Sequence, residues 1–195
     1  MYKKYQFPIF LFLILEKSSI NFWTSKVLNP NHFICLIDKS WNYSLNLILK
    51  NEVFCAKSFL VENSSIDTLY FSNNNFLLNF FSKHNRNIVY YSYYLYFIKI
   101  RLTFMFLSSN TQNILLSNLH SIDKLFKNAN WLERETSEMY GILFTWKTDT
   151  RKLLLDYAKH ENPLLKDFPS EGFQDVFYNF FENQVTVNKN EVVEL

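Results

Sequence analysis

The chain has 195 residues, 48% of them hydrophobic, which is enough to bury one sizeable core and form one domain with an extension. A net charge of +2 and a pI of about 8.4 are too mild for a dedicated nucleic-acid binder, which would carry a clustered basic stripe. The two cysteines, Cys35 and Cys55, and the four histidines, His32, His84, His120 and His160, show no paired ligand spacing, so the chain alone should hold neither an iron–sulfur cluster nor a structural zinc.

The first twenty residues join Lys3-Lys4 to an apolar run from Phe7 to Leu15. That run is too short to cross a bilayer, which takes about 20 residues. It also lacks the small residues of a signal-peptide cleavage point and the Arg/Ser amphipathic pattern of a transit peptide. It reads as a docking helix or strand within an N-terminal docking segment, 1–40. Asn29-Pro30-Asn31 is a turn signal. Leu45, Leu47 and Leu49 alternate with Asn46 and Ile48, and Val53 to Val61 is largely apolar, which reads as two short strand-like elements around Lys50-Asn51-Glu52. A Cys35–Cys55 disulfide is not expected in a reducing compartment. Asn73-Asn74-Asn75 marks a loop before Phe76 to Phe81.

Ile88 to Leu107 is long enough for a transmembrane helix, but Lys99 and Arg101 near its centre would each cost at least about 2.5 kcal/mol at the bilayer midplane. Ile98 to Phe104 alternates at period two, as a half-buried strand does. The stretch is therefore expected to be two sheet strands with a turn between Ser92 and Phe97.

From Ser121, apolar residues at Ile122, Leu125, Phe126, Ala129, Leu132, Met139 and Tyr140 follow helical spacing, with Ser121 as N-cap and Gly141 as stop. On one unbroken helix Glu133 falls within the apolar stripe and Trp131 on the charged face. A break at Asn128-Ala129-Asn130 would instead rotate the second half and turn Trp131 inward. A buried Glu133 needs a cation, and Arg151, Lys166 and Arg101 are the candidates. Beyond Gly141 the chain is charged and bounded by Pro163 and Pro169, which favour extended backbone suited to lying along another surface. Val176-Phe177-Tyr178 is strand-like, and the polar tail after it should drape over a partner or stay partly disordered.

Three blocks carry a resemblance. Glu133-Arg134-Glu135-x-x-Glu138-Met139-Tyr140-Gly141-Ile142-x-Phe144 is followed by Asp149-x-Arg151-Lys152-x-Leu154 and by Pro163-Leu164-x-Lys166-Asp167-Phe168-Pro169. In this order they resemble the 30-kDa subunit family of respiratory complex I. The pattern departs from the family's Asp at Glu138, His-Pro at Lys147-Thr148, His at Asn162 and Arg at Leu165, so contacts there should differ. The resemblance is strong from Ser121 to Gly172 and weak in the strand pair before it.

The resemblance implies a cofactor-free subunit of the hydrophilic arm, near the quinone and packed against the 49-kDa subunit and its neighbours, with FMN and iron–sulfur clusters held by other subunits. It also implies a peripheral position on the matrix side of the mitochondrial inner membrane, in a hetero-oligomer. Trp131, Glu133, Arg134, Glu135, Arg151, Asp156, Lys166 and Asp167 would then make structural ion pairs or partner contacts. Two other readings remain open. Glu133 or Glu138 could serve as a general acid or base, although no phosphate loop, nucleophile elbow or metal triad accompanies them. The tyrosine-rich strands could stack bases in an organellar ribosomal or RNA-binding protein. The expected architecture is α+β: a small mixed β-sheet covered by helices over residues 1–141, with an extended C-terminal partner-binding limb over 142–195.

Overall fold

The computed structural model describes residues 22–29, 32–51, 58–69, 86–97, 99–108, 119–157 and 161–190. In chain order they form β1 (Phe22–Asn29), β2 (His32–Ile37), a 3-10 turn (Lys39–Trp41), α1 (Asn42–Asn51), β3 (Ser58–Asp67), β4 (Asn87–Leu95), β5 (Ile100–Ser108), β6 (Leu119–His120), α2 (Ala129–Tyr140), β7 (Phe144–Thr145), β8 (Gln174–Asn179) and β9 (Gln184–Lys189). The fold is α+β, as the sequence indicates. The Phe7–Leu15 run, Phe76 to Phe81, Cys55, His84, His160 and residues 191–195 lie outside the described residues.

Five strands make one mixed sheet in the order β1-β2-β5-β4-β3, with β2 parallel to β5 and the other pairs antiparallel. Register stacks the core in cross-strand rows. Phe33, Leu102, Tyr93 and Leu60 form one, Cys35, Phe104, Tyr91 and Asn63 the next, and Ile37, Phe106, Val89 and Ser65 a third. These rows share a face, because side chains alternate along a strand. Leu45 and Leu49 of α1, together with Ile122, Phe126 and Ala129, close over that face. Edge and tilted contacts of Tyr91 with Phe106 (5.9 Å) and of Tyr93 with Phe104 (5.7 Å) and Phe126 (5.5 Å) fill it.

The strand pair expected from Ile88 to Leu107 is β4 and β5. Their turn runs past the end of the anticipated window: Lys99, two residues beyond it, takes a left-handed φ of 56° and donates its N–H to Leu95 O at 2.9 Å. Among the described residues no helix is long and apolar enough to cross a membrane.

Two elements depart from the expectations. Leu45 to Leu49 belongs to α1, not to a strand. Its buried face is Asn42, Leu45, Asn46 and Leu49, so two asparagines occupy core positions and hide the helical period. They are satisfied there: Tyr93 OH donates to Asn46 Oδ1, Asn46 Nδ2 donates to Asn42 O (2.7 Å), and Asn42 Nδ2 donates to His120 O (2.8 Å). The second helix begins at Ala129 rather than Ser121, since Ile122 to Asn128 forms turns. Its N-terminal residue Asn128 makes no side-chain cap and instead donates Nδ2 to Leu60 O at 2.5 Å. At the other end Gly141 stops α2 as expected, with φ 69° and its N–H on Ser137 O.

Among the described residues of 142–172 the only strand is β7, which pairs in parallel with β6. The strand at Val176 to Tyr178 is β8. The polar tail, expected to drape or disorder, supplies β9, which pairs with β8 in register from Gln174↔Lys189 to Asn179↔Gln184.

Candidate functional site

Four carboxylates of the α+β domain hold the segment that follows Gly141. Glu133 of α2 is fully buried beneath the sheet face. It accepts hydrogen bonds from Ser121 Oγ (2.5 Å), the Ile122 N–H (2.9 Å) and Tyr91 OH (3.3 Å), and it pairs with Lys147 Nζ at 3.0 Å. The same ammonium donates to Asn130 O at 3.0 Å. Burial pushes the Glu133 carboxyl above its ordinary value, against the pull of Lys147 and the hydrogen bonds. Burial, and then the charge of Glu133, raises the Tyr91 phenol.

The other three carboxylates grip backbone amides. Asp123 accepts from both the N–H (2.9 Å) and the hydroxyl (2.5 Å) of Thr148. Glu138 receives three successive amides, those of Leu153, Leu154 (2.8 Å) and Leu155 (2.9 Å). Burial works against the Glu138 carboxylate, but these donors outweigh it and hold its pKa below the usual range. Asp67, at the end of β3, accepts from the N–H of Leu69 (3.1 Å) and Lys166 (2.9 Å) and from the Arg86 guanidinium, whose Nη2 also reaches Asp167 at 2.5 Å. Burial is again overcome, and the Asp67 carboxyl is held low.

Cations of α2 and the segment complete the attachment. Arg134 donates Nε to Arg151 O (2.7 Å) and Nη2 to Lys152 O (3.0 Å), and its Nη1 lies 3.5 Å from Asp149. Asn162 packs so closely on Gly141 that a Cβ there would meet its Nδ2 at 2.8 Å. Between α2 and the segment lies a cavity of about 300 Å³ lined by Arg134, Glu138, Phe144, Lys147, Arg151 and Asn162 among others.

The expected site residues are thus sorted by geometry. The helix starts at Ala129, within the Asn128-Ala129-Asn130 break, yet Trp131 stays 62% exposed and Glu133 is buried and ion-paired, the positions that the unbroken-helix projection gives them. The cation beside Glu133 is Lys147, which corrects the expectation of Arg151, Lys166 or Arg101. Arg151 pairs with Asp149 at 2.8 Å, Lys166 contributes its amide to Asp67, and Arg101 stands exposed on β5. Arg134 staples backbone carbonyls and rests 5.9 Å from the Trp131 ring centroid. Asp167 shares Arg86 with Asp67, while Asp156 is exposed and its carbonyl accepts from Lys152 Nζ at 2.9 Å. Glu135 is exposed, and no ion pair is seen to it among the described residues.

Sequence reasoning missed Asp67, Arg86, Asp123, Lys147 and Thr148. Lys147 and Thr148 stand where the resemblance departs from its family pattern, and they meet the buried Glu133 and Asp123. That departure was the available signal.

The two other readings meet specific obstacles. Glu138 lines the cavity, but its oxygens are taken by three backbone amides, and Glu133 is enclosed and paired with Lys147. Tyr91 and Tyr93 are fully buried in the core, which removes them from any base-stacking surface. Cys35 is a free, buried thiol that burial pushes up to about 12. His32 hydrogen-bonds Thr103 Oγ1 (3.0 Å), and His120 hydrogen-bonds Thr145 Oγ1 (2.7 Å). Among the described residues no three metal-ligating side chains gather.

Comparison with known proteins places this arrangement in context. Residues 37–174 match the family model described as the 30 kDa subunit of respiratory-chain NADH dehydrogenase. NADH-ubiquinone oxidoreductase subunit 9 of Paramecium primaurelia is 37% identical over 98% of this chain and 88% of its own length. A bacterial NADH-quinone oxidoreductase subunit, from Xanthobacter autotrophicus, is 49% identical over 65 residues, 33% of this chain and 31% of that protein. A solved fragment of Nqo5 has the same fold, with a TM-score of 0.53 at 14% identity over 72% of this chain and 97% of the fragment.

Proposed function

Because the chain belongs to the family of the 30 kDa subunit of respiratory-chain NADH dehydrogenase, we propose that it acts as a cofactor-free scaffold in the quinone-proximal part of the complex, its limb lying along the 49-kDa subunit. It is a hydrophilic-arm subunit of NADH:ubiquinone oxidoreductase and works in a hetero-oligomer. The proposed setting is the matrix face of the mitochondrial inner membrane, with FMN and iron–sulfur clusters carried by other subunits.

The observation that carries this reading is the fastening of Lys147, Thr148, Leu153 to Leu155 and Lys166 to the domain by Glu133, Asp123, Glu138 and Asp67. Such an attachment turns charged and polar groups inward and leaves Leu143, Leu154, Tyr157 and Leu164 half exposed or more. A segment that spends its polar groups on its own domain and shows apolar side chains outward is suited to docking. In this role Glu133, Arg134, Arg151 and Asp167 set the shape of the limb, while Trp131, Glu135, Asp156 and Lys166 are exposed for contact. Rigidity matters because electron transfer depends on the spacing of cofactors held by neighbouring subunits.

The test is native-gel separation of detergent-solubilised mitochondrial membranes, with in-gel NADH dehydrogenase staining and mass spectrometry of the stained band. The chain is expected in the largest NADH-oxidising species, cross-linked through residues 143–167 to the 49-kDa subunit. Cross-links from that segment to other proteins alone would reject the assigned neighbour.

A further inference from the structure

Trp146 lies between two fixed residues and is itself turned out to solvent. On one side, Thr145 O accepts the Ser121 N–H at 2.9 Å, and the Thr145 hydroxyl bonds the His120 ring. On the other, Lys147 is drawn into the buried pair with Glu133, and Thr148 is held by Asp123. The backbone at Trp146 has φ 60°, a left-handed conformation that a bulky side chain adopts only when its surroundings force it. The indole is nevertheless 68% exposed and lies flat on the His120 ring, 4.2 Å between centroids and 15° between planes. The fold therefore maintains a strained backbone and presents a rigid aromatic side chain with no cover of its own.

The surroundings are cationic. Lys124 and Lys127 are exposed in the turns that lead into α2, and Lys50 reaches the same turns by donating to Leu125 O. The first turn of α2 has no acidic residue to offset the positive end of its dipole. Asp123 is buried against Thr148, leaving the lysines as the charge that faces outward. Trp131 adds a second exposed aromatic at this end of α2, since Lys147 Nζ is bonded to the carbonyl of the residue just before it.

We propose that Trp146 is a preformed anchor for a neighbouring subunit of the same complex, one that offers an apolar recess rimmed by carboxylates. A rigid tryptophan loses little conformational freedom on binding, and such residues at the centre of an interface carry much of its energy. The lysine collar selects an acidic rim and guides approach. The proposal rests on the subunit reading above but concerns a different surface from the limb's outer face.

Hydroxyl-radical footprinting of the purified complex, native against denatured, tests it together with zero-length carbodiimide cross-linking. The native-to-denatured oxidation ratio of Trp146 is expected to fall to that of the fully buried Tyr91 and Tyr93, well below what its 68% exposure in the chain alone would give. Lys124 or Lys127 is expected to cross-link to aspartate or glutamate of another subunit. A Trp146 ratio clearly above that of Tyr91 and Tyr93, or lysine cross-links that stay within this chain, would overturn the anchor. Leu154, Tyr157 and Leu164 report separately on the limb. If they are protected while Trp146 is open, the limb reading stands and the anchor falls; the reverse pattern retains the anchor and rejects the limb's docking.

Discussion

Lys147 Nζ stands 3.0 Å from Glu133 Oε2, and the two side chains are 3% and 0% exposed. Removing one member of such a pair strands a charge out of water. Lys147→Met is expected to destabilise the folded chain by about 3–5 kcal/mol, and adding Glu133→Gln to it should recover much of the loss. Urea unfolding of the single and double variants measures both. In the cell, Glu133→Gln should lower the amount of assembled complex and leave NADH oxidation per complex unchanged. Normal assembly with collapsed turnover would assign Glu133 to chemistry instead.

Protonation should loosen the leucine triplet. The Glu138 carboxyl is held below the ordinary glutamate value of 4.5, so the stability it contributes is full above that pH and is lost as pH falls through its folded value. Glu133, raised by burial, has the opposite sign: its ionisation opposes folding as pH rises through its folded value. Amide exchange at Leu153 to Leu155, corrected for intrinsic rate, should accelerate below about pH 4.5 in the natural chain. Glu138→Gln should show that acceleration already at neutral pH.

Arg86 divides its guanidinium between a carboxylate with no exposure, Asp67, and one half exposed, Asp167. Asp67→Asn is expected to cost about 3–5 kcal/mol, because the buried site loses its countercharge. Asp167→Asn should cost under about 1 kcal/mol in the isolated chain, since solvent screens the pair. If Asp167→Asn still lowers the assembled complex, as its proposed role in shaping the limb requires, the effect belongs to the interface. Comparing unfolding free energy with the abundance of the complex separates the two.

Gly141→Ala is disfavoured twice, by its φ of 69° and by a Cβ placed 2.8 Å from Asn162 Nδ2. The contact is with the end of a side chain and can be relieved. Adding Asn162→Ala should therefore recover part of the loss and leave about 1 kcal/mol for the left-handed backbone. Equal stability of the single and double variants, in a thermal melt, would show that the contact contributes nothing.

What could be read in advance follows from where the periodic signal is pure. The alternation in β5 and the stop at Gly141 were legible, because apolar residues mark one face of the strand and a left-handed position selects glycine. The α1 helix was not, since Asn42 and Asn46 take core positions whose hydrogen bonds to His120 O and Tyr93 appear only after folding. Helical projection placed Glu133 in the core and required a countercharge. It could not choose Lys147, because the choice is made by how residues 145–148 turn back across α2. Asp67, Arg86 and Asp167 meet across separations of 19 and 81 residues, so no local pattern joins them.

The carboxylate attachment also has a consequence in time. The Asp67 partner Lys166 lies 99 residues further along the chain, and the amides that satisfy Glu138 come 15 to 17 residues after it. During synthesis the sheet is complete while the Asp67 carboxylate still lacks its Lys166 donor, and α2 is complete while Glu138 still lacks its three amides. Contacts so distant in sequence form slowly. The segment that follows Gly141 thus acts as the closing step of maturation, and a chain released before Lys166 leaves the buried Asp67 carboxylate without that amide donor.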